Sequence, residues 1–122
     1  MYAERHIVPL TTDAAGAATG YSPVINGRIL SIHYVKTDYA DGVDFTITAE
    51  ATGETIWTEA NVNAAKVCAP RLATHSNVGV ATLYAAGGAA VLDYISVAND
   101  RVKIVIAAGG DTKTGAFHIV VG

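Results

Sequence analysis

The sequence predicts an all-β fold in a single domain, either a jelly roll or a simple β-sandwich of about eight short strands. Three observations support this prediction. Hydrophobic and polar side chains alternate, turn residues recur at short intervals, and no segment shows ten residues of clean helical periodicity. A length of 122 residues is ordinary for one domain.

Strand alternation is clearest in four segments, in which every second side chain is hydrophobic: residues 30–34, 43–49, 102–106 and 117–121. Weaker strand candidates are residues 5–10, 54–59, 67–73, 81–84 and 92–98. Turn dipeptides such as Asn26-Gly27 and Asp41-Gly42 lie between them, and these residue types tolerate the positive φ angles of tight turns.

The first residues lack a strong core pattern. Residues 1–21 are predicted to form an N-terminal arm, or an edge strand followed by a loop, ahead of a β domain that spans residues 22–122. The middle of this region, DAAGAAT at residues 13–19, has little apolar bulk. We therefore expect the arm to become ordered mainly against a partner.

Composition argues against nucleic-acid and membrane partners. The chain has a net charge of −3, and its eight basic residues include no adjacent pair, whereas nucleic-acid binding requires a basic stripe. The apolar runs are too short to span a bilayer. The N-terminus lacks the apolar segment of a signal peptide, which predicts synthesis in the cytoplasm.

Metal sites are not predicted. The four histidines, at positions 6, 33, 75 and 118, lack the short spacing of zinc ligands. Asp38, Asp41 and Asp44 surround a glycine, but the stretch has neither the alternating ligands nor the closing glutamate of a calcium loop. A hairpin turn is the favoured interpretation.

Catalytic and cofactor sites are not predicted either. Residues 109–115 (GGDTKTG) resemble a phosphate loop superficially, but the residue order is wrong and a strand follows. Cys68 lies between Val67 and Ala69, as expected of a buried, inert thiol. We expect a protein that is not an enzyme and that carries no cofactor.

Three hydrophobic residues are candidates for an interface. Trp57 follows Ile56, and neighbouring strand residues face opposite sides, so one of the two is expected at the surface. An exposed Trp57 would suit a protein or sugar partner, and a buried Trp57 is the alternative. Ile29 and Val35 lie opposite to Leu30, so this strand is apolar on both faces.

Several segments resemble a known group of proteins. They are GRILSIHYVK at 27–36, ADGVDFTIT at 40–48, EATG at 50–53, DRVKIVIA at 100–107 and KTG at 113–115. The likeness covers roughly residues 27–122 and is to small proteins encoded among the head genes of tailed bacteriophages and prophages. That group includes jelly-roll-like minor capsid proteins, also called cement or decoration proteins.

The resemblance implies a structural role in a virus particle. It implies a capsid protein on the virion surface that binds the shell of the major capsid protein and forms a homodimer or another homo-oligomer. Two alternatives remain open. One is a neck (head–tail connector) or tail-completion protein, and the other is a carbohydrate-binding β module.

Overall fold

The computed structural model describes residues 2–122 and confirms the all-β prediction. Two antiparallel sheets face each other in one β-sandwich. The ten strands are β1 (Glu4–Thr11), β2 (Ala18–Tyr21), β3 (Ile25–Lys36), β4 (Val43–Ala49), β5 (Thr55–Val62), β6 (Lys66–Cys68), β7 (Arg71–Ala73), β8 (Leu92–Asp100), β9 (Val102–Ala107) and β10 (Thr114–Val121). The strands outnumber the expected eight because residues 67–73 divide at Pro70 and because residues 18–21 add β2.

The strand order is that of a jelly roll. Sheet I has the order β1-β10-β3-β8-β7, with β6 also paired to β3, and sheet II has the order β2-β9-β4-β5. The antiparallel pairs are nested in the chain: β4 with β5, β3 with β8, β2 with β9, and β1 with β10. Nested pairs arise when one long hairpin is rolled into two sheets, which defines a jelly roll.

The core lies between the sheets and is centred on aromatic rings. Phe45 of sheet II packs edge-on against Phe117 of sheet I, with ring centroids 5.2 Å apart. Tyr34 contacts both of these rings at 5.3 Å. Tyr39, in the β3–β4 connection, stacks on Tyr34 at 6.1 Å with only 7° between the ring planes. These rings join the two sheets into one hydrophobic core.

Two β-bulges overturn two of the predicted interface positions. In β3, Val120 pairs with Ser31 and Val121 with Ile29, so Leu30 is an inserted residue. An inserted residue reverses the in–out alternation on one side of it, and Ile29 therefore points inward with no exposed surface. The prediction of Ile29 as an interface residue is wrong.

The second bulge lies in β5. Ile47 pairs with Trp57 and Thr48 with Thr55, which leaves Ile56 as the inserted residue. Both Ile56 and Trp57 are therefore buried, and Trp57 is only 6% exposed. Its indole Nε1 donates a hydrogen bond of 3.1 Å to Oε1 of Glu59. Trp57 is a core residue, which was the alternative for this side chain. Its prediction as an interface residue is wrong, and so is the expectation that either Ile56 or Trp57 lies at the surface.

The N-terminal region is part of the sandwich. Residues 4–11 form β1, an edge strand that pairs with β10 along its whole length and buries Val8 and Leu10 in the core. Of the two alternatives for residues 1–21, the edge strand agrees with β1, whereas the arm that orders mainly against a partner is wrong, because β1 and β2 both pair with strands of the domain. Met1 lies outside the described residues.

The two stacked tyrosines provide a matched test of the core. The Tyr39 hydroxyl donates a hydrogen bond of 2.6 Å to the Leu10 carbonyl, whereas the buried Tyr34 hydroxyl has no partner among residues 2–122. Burial, with the charge of Asp41, raises the pKa of Tyr34 to about 12. Tyr39→Phe is expected to lower the unfolding free energy by about 1 kcal/mol, while Tyr34→Phe should leave it unchanged or raise it. Urea unfolding measures both, and a larger loss for Tyr34→Phe contradicts the assignment.

Candidate interaction surfaces

The outer face of sheet I forms the first candidate surface. Its outward positions fall in cross-strand rows, since residues paired across antiparallel strands share a face. The rows are Ile7–His118–His33–Val67, Pro9–Ala116–Val35, Arg5–Val120–Ser31, Arg28–Ser96 and Arg71–Tyr94. We call these positions the arginine face.

The arginine face has an unusual charge composition. Three of the chain's four arginines lie on it, whereas all four lysines and all eleven carboxylates occupy other positions. Protein interfaces are enriched in arginine and tyrosine and depleted in lysine, aspartate and glutamate. The arginine face therefore has the composition of a protein-binding surface, although the whole chain is acidic.

Two of these arginines are held by one aromatic ring. The guanidinium carbons of Arg71 and Arg28 lie 4.0 and 5.1 Å from the ring centroid of Tyr94. Such cation–π contacts reduce the freedom of the long side chains, so less entropy is lost when they bind carboxylates. The Tyr94 ring thus fixes the positions of two guanidinium groups at one end of the face, where Arg71 also donates a hydrogen bond of 2.9 Å to the Pro70 carbonyl.

The centre of the face holds a pair of histidines. His33 and His118 lie directly opposite each other across β3 and β10. A guanidinium nitrogen of Arg5 lies 3.1 Å from His118 Nδ1, and the Ser31 hydroxyl lies 3.5 Å from His33 Nε2. Within residues 2–122, no group of three or more histidine, cysteine or carboxylate ligands is close enough to hold a metal ion.

Val35 is the only predicted interface residue that reaches this surface. It lies in the row between Pro9 and Ala116 and is 37% exposed. Ile7 and Val67 lie in the neighbouring row and are also exposed. These apolar side chains lie among the arginines and histidines, so the face offers both hydrophobic and charge-assisted contacts.

The opposite side of the molecule has a different character. Threonine is the most frequent residue at the outward positions of sheet II, and it occupies three positions of the paired row Thr19–Val105–Thr46–Thr58. The hydroxyls of Thr46 and Thr58 lie 3.3 Å apart. The side chains on this face are mainly small and polar, which is typical of a sheet surface that faces water.

The second candidate surface is a projection at the edge of sheet I. We call residues 72–92 the knob; they connect β7 to β8 and include the ends of both strands. Backbone hydrogen bonds close the knob on itself, among them Thr74 to Val91, Thr82 to Thr74 and Tyr84 to Ala89. No residue of the knob is buried, and Val78 and Tyr84 are 78% and 76% exposed.

The knob carries no formal charge. Its sequence, LATHSNVGVATLYAAGGAAVL, contains no aspartate, glutamate, lysine or arginine, although 16% of the whole chain is charged. Among the described residues, the exposed large hydrophobic side chains are almost confined to the knob and the arginine face; Tyr2, Tyr21 and Val24 lie outside them. Most of these exposed hydrophobic side chains thus lie on the outer face and at the β7–β8 edge of sheet I.

The three aspartates of the predicted turn have separate partners. Asp38 accepts hydrogen bonds from the backbone and the hydroxyl of Thr114, which lower the pKa of its carboxyl. Asp41 pairs with Lys36, and Asp44 accepts from the backbone of Asn61 at 2.9 Å. Each carboxylate stabilises a different loop contact. The prediction of a hairpin turn here is wrong, because the segment connects β3 of sheet I to β4 of sheet II and these two strands do not pair with each other.

Other residues considered for chemistry lie in structural settings. Cys68 is half-buried, and burial raises the pKa of its thiol, whereas reactive thiols need a lowered pKa. Residues 109–115 connect β9 to β10, as expected of a strand-to-strand connection. Ser76 lies in the knob, where its hydroxyl accepts from the backbone of Val78 and Val80 at 3.3 Å.

One open hollow of about 340 Å³ lies at the far end of sheet I from the knob. Its charged groups are already paired: Arg101 binds Glu50 through two nitrogens, and Asp100 accepts from the backbone of Ala51 and Arg101. The guanidinium of Arg101 also lies over the Tyr21 ring, 4.2 Å from its centroid. The charged side chains around the hollow therefore hold neighbouring loops together.

No protein-family model, no curated protein and no solved structure matches the chain. No helix in residues 2–122 is long and apolar enough to cross a membrane.

Proposed function

We propose that this protein is a non-catalytic structural protein of a virus particle, a capsid cement or decoration protein. In this proposal it binds the outside of the shell formed by the major capsid protein and reaches that position after synthesis in the host cytoplasm. Binding acts by mass action, because a ligand that prefers the intact shell opposes its disassembly.

The arginine face is the observation that carries the proposal. Its arginines, its tyrosine and its exposed apolar side chains match the composition of protein interfaces, and no carboxylate on it opposes an acidic partner. The resemblance of residues 27–122 to phage head proteins supports the same partner. The jelly roll is also found in capsid proteins, although other functions use the same fold.

The alternatives differ in what they require. A carbohydrate-binding module was suggested by an exposed Trp57, and this side chain lies in the core. A neck or tail-completion protein needs the same kind of protein-binding face. Copy number separates it from a cement protein, because a neck position has only a few copies in each particle.

Particles that lack this protein are expected to assemble and then to lose DNA at a lower temperature, or under milder osmotic shock, than complete particles. Added purified protein should restore resistance and saturate at a number of copies commensurate with the symmetry of the shell. Quantitative mass spectrometry of particles measures that number. A handful of copies identifies a neck protein, and none contradicts a virion role.

A charge reversal on the arginine face tests the surface itself. Arg5→Glu is expected to weaken binding to depleted particles by roughly tenfold or more, since it introduces a carboxylate into a face that has none. Lys103→Glu makes the same charge change on the outer face of sheet II and should bind like the unaltered protein. Equal weakening by the two variants contradicts the assignment of the arginine face.

A further inference from the structure

We propose that protonation of the histidine pair, His33 and His118, strengthens the binding of an acidic protein surface to the arginine face, so that the face binds more tightly as the pH falls from about 8 to about 6. This inference rests on the proposed function, because it concerns the regulation of the same face. Three observations carry it: the position of the pair, its contact with Arg5, and the charges on the neighbouring strands.

The two histidines lie side by side at the centre of the arginine face. They are direct partners across β3 and β10, and residues paired in this way have Cβ atoms about 4.5–5.5 Å apart. Both side chains are only partly buried, so a partner that covers the face reaches both rings. One carboxylate of that partner can therefore accept hydrogen bonds from both imidazoles.

The contact with Arg5 determines which form of His118 is present in this arrangement. A guanidinium nitrogen of Arg5 lies 3.1 Å from Nδ1 of His118, and a guanidinium only donates hydrogen bonds. Nδ1 is therefore the acceptor and carries no proton, so the ring is neutral. Protonation at Nδ1 removes this hydrogen bond and leaves N–H groups on both Arg5 and His118 for an anion to accept.

Arg5 is the ionisable side chain that the neighbouring strands place beside the pair on this face. Within residues 2–122, β1 presents Arg5 and Ile7 next to His118, and β6 presents Val67 next to His33. The adjacent outward residues of β3 and β10 are uncharged. Like charges that lie directly opposite each other in a sheet are unfavourable, so a protonated pair beside Arg5 gains strongly from an anionic partner.

The other ionisable residues of β1 and β6 belong to the inner face of the sheet. Glu4 and His6 pair with inward-facing residues of β10, and Lys66 and Cys68 pair with inward-facing residues of β3. Residues paired across antiparallel strands share a face, so these four side chains point away from the pair. The strand β8 pairs with residues 25–29 of β3, away from the pair. A charge gained by the histidines is therefore left for the partner to neutralise.

The direction of the pH effect follows from the two kinds of ionisable group in the contact. Histidine gains its charge between about pH 8 and pH 5, whereas the carboxylates of a partner stay ionised down to about pH 4–5. Protonation adds two positive charges to those of the three arginines on the face. Protons and the acidic partner therefore favour each other's binding, and affinity falls as the pH rises through the range in which histidine loses its charge.

NMR titration of the full chain with a hexaglutamate peptide, at about pH 6 and about pH 8 and constant ionic strength, tests the inference. The dissociation constant is expected to be roughly tenfold lower at the lower pH, because two charge pairs are added. Amide signals around His33 and His118 should shift on binding. The double variant His33→Gln/His118→Gln should give a ratio of the two dissociation constants close to one. His75→Gln removes an exposed histidine of the knob and should keep the tenfold ratio.

Each remaining outcome overturns the inference. These outcomes are equal dissociation constants at the two pH values, no binding at either, a pH dependence that persists in the double variant, and one that disappears in His75→Gln. The NMR spectra also establish that each variant is folded, which is expected because none of these histidines belongs to the core. Particle binding without any pH dependence refutes this inference alone. A pH-dependent contact with the peptide, without binding to particles, refutes the proposed function alone.

Discussion

Deletion of residues 2–11 is expected to unfold the whole domain. The deletion removes β1 with its ladder to β10, takes Val8 and Leu10 out of the core, and removes the carbonyl that accepts the Tyr39 hydroxyl. Loss of a buried leucine alone costs about 2–5 kcal/mol, and total stability is typically about 5–15 kcal/mol. Circular dichroism and urea unfolding measure the result.

A larger deletion in the knob is the control. Residues 75–90 can be replaced by an Asn-Gly turn, because Thr74 and Val91 are already hydrogen-bonded at the base. This variant should keep the strand signal and a cooperative unfolding transition, since no residue of the knob is buried. If the chain without residues 2–11 also unfolds cooperatively, β1 is not an integral strand.

Gly115→Ala is expected to be the most damaging single substitution. A Cβ atom at Gly115 would lie 2.2 Å from one carbon of the Tyr39 ring and within 2.8 Å of two others. This ring is buried, stacks on Tyr34 and is anchored through its hydroxyl to Leu10, so it has no room to move. Overpacking of this kind typically costs about 1–3 kcal/mol and sometimes more, and we expect the upper end.

Gly20→Ala is the matched control for this clash. Its added Cβ would also lie 2.2 Å from another atom, but that atom is Cδ2 at the flexible end of the Leu10 side chain. A rotamer change relieves the contact, and we expect a clearly smaller loss of unfolding free energy, measured by urea denaturation. Equal losses for the two variants contradict the view that Tyr39 is fixed in place.

Alternation along the sequence predicts a strand well where the strand is regular. In β4 and β9 every predicted inward residue is buried, for example Phe45 and Ile104, because the period of two is a local property of the chain. The same reasoning fails at Ile29 and Trp57. Their side chains are turned by inserted residues, and a bulge is visible only in the pairing with another strand.

Pairing between distant strands also explains why the knob can be recognised in the sequence and the arginine face cannot. Arg5, Arg28 and Arg71 are far apart in the chain, and only the pairing of β1, β10, β3, β8 and β7 brings them to one face. The knob is different, because its uncharged run from residue 72 to residue 92 can be seen in the sequence directly. The sequence does not show that this run projects into solvent instead of packing in the core.

The nested strand pairing has a consequence for how the chain acquires its structure. Only β4 and β5 are neighbours that form a hairpin through a short turn, whereas β1 has to wait for β10, the last of the sandwich's ten strands in chain order. Loop-closure entropy opposes such distant pairings, and folds dominated by them form in about milliseconds to seconds. A growing chain therefore emerges with β1 unpaired, and the sandwich can close only after β10 has left the ribosome.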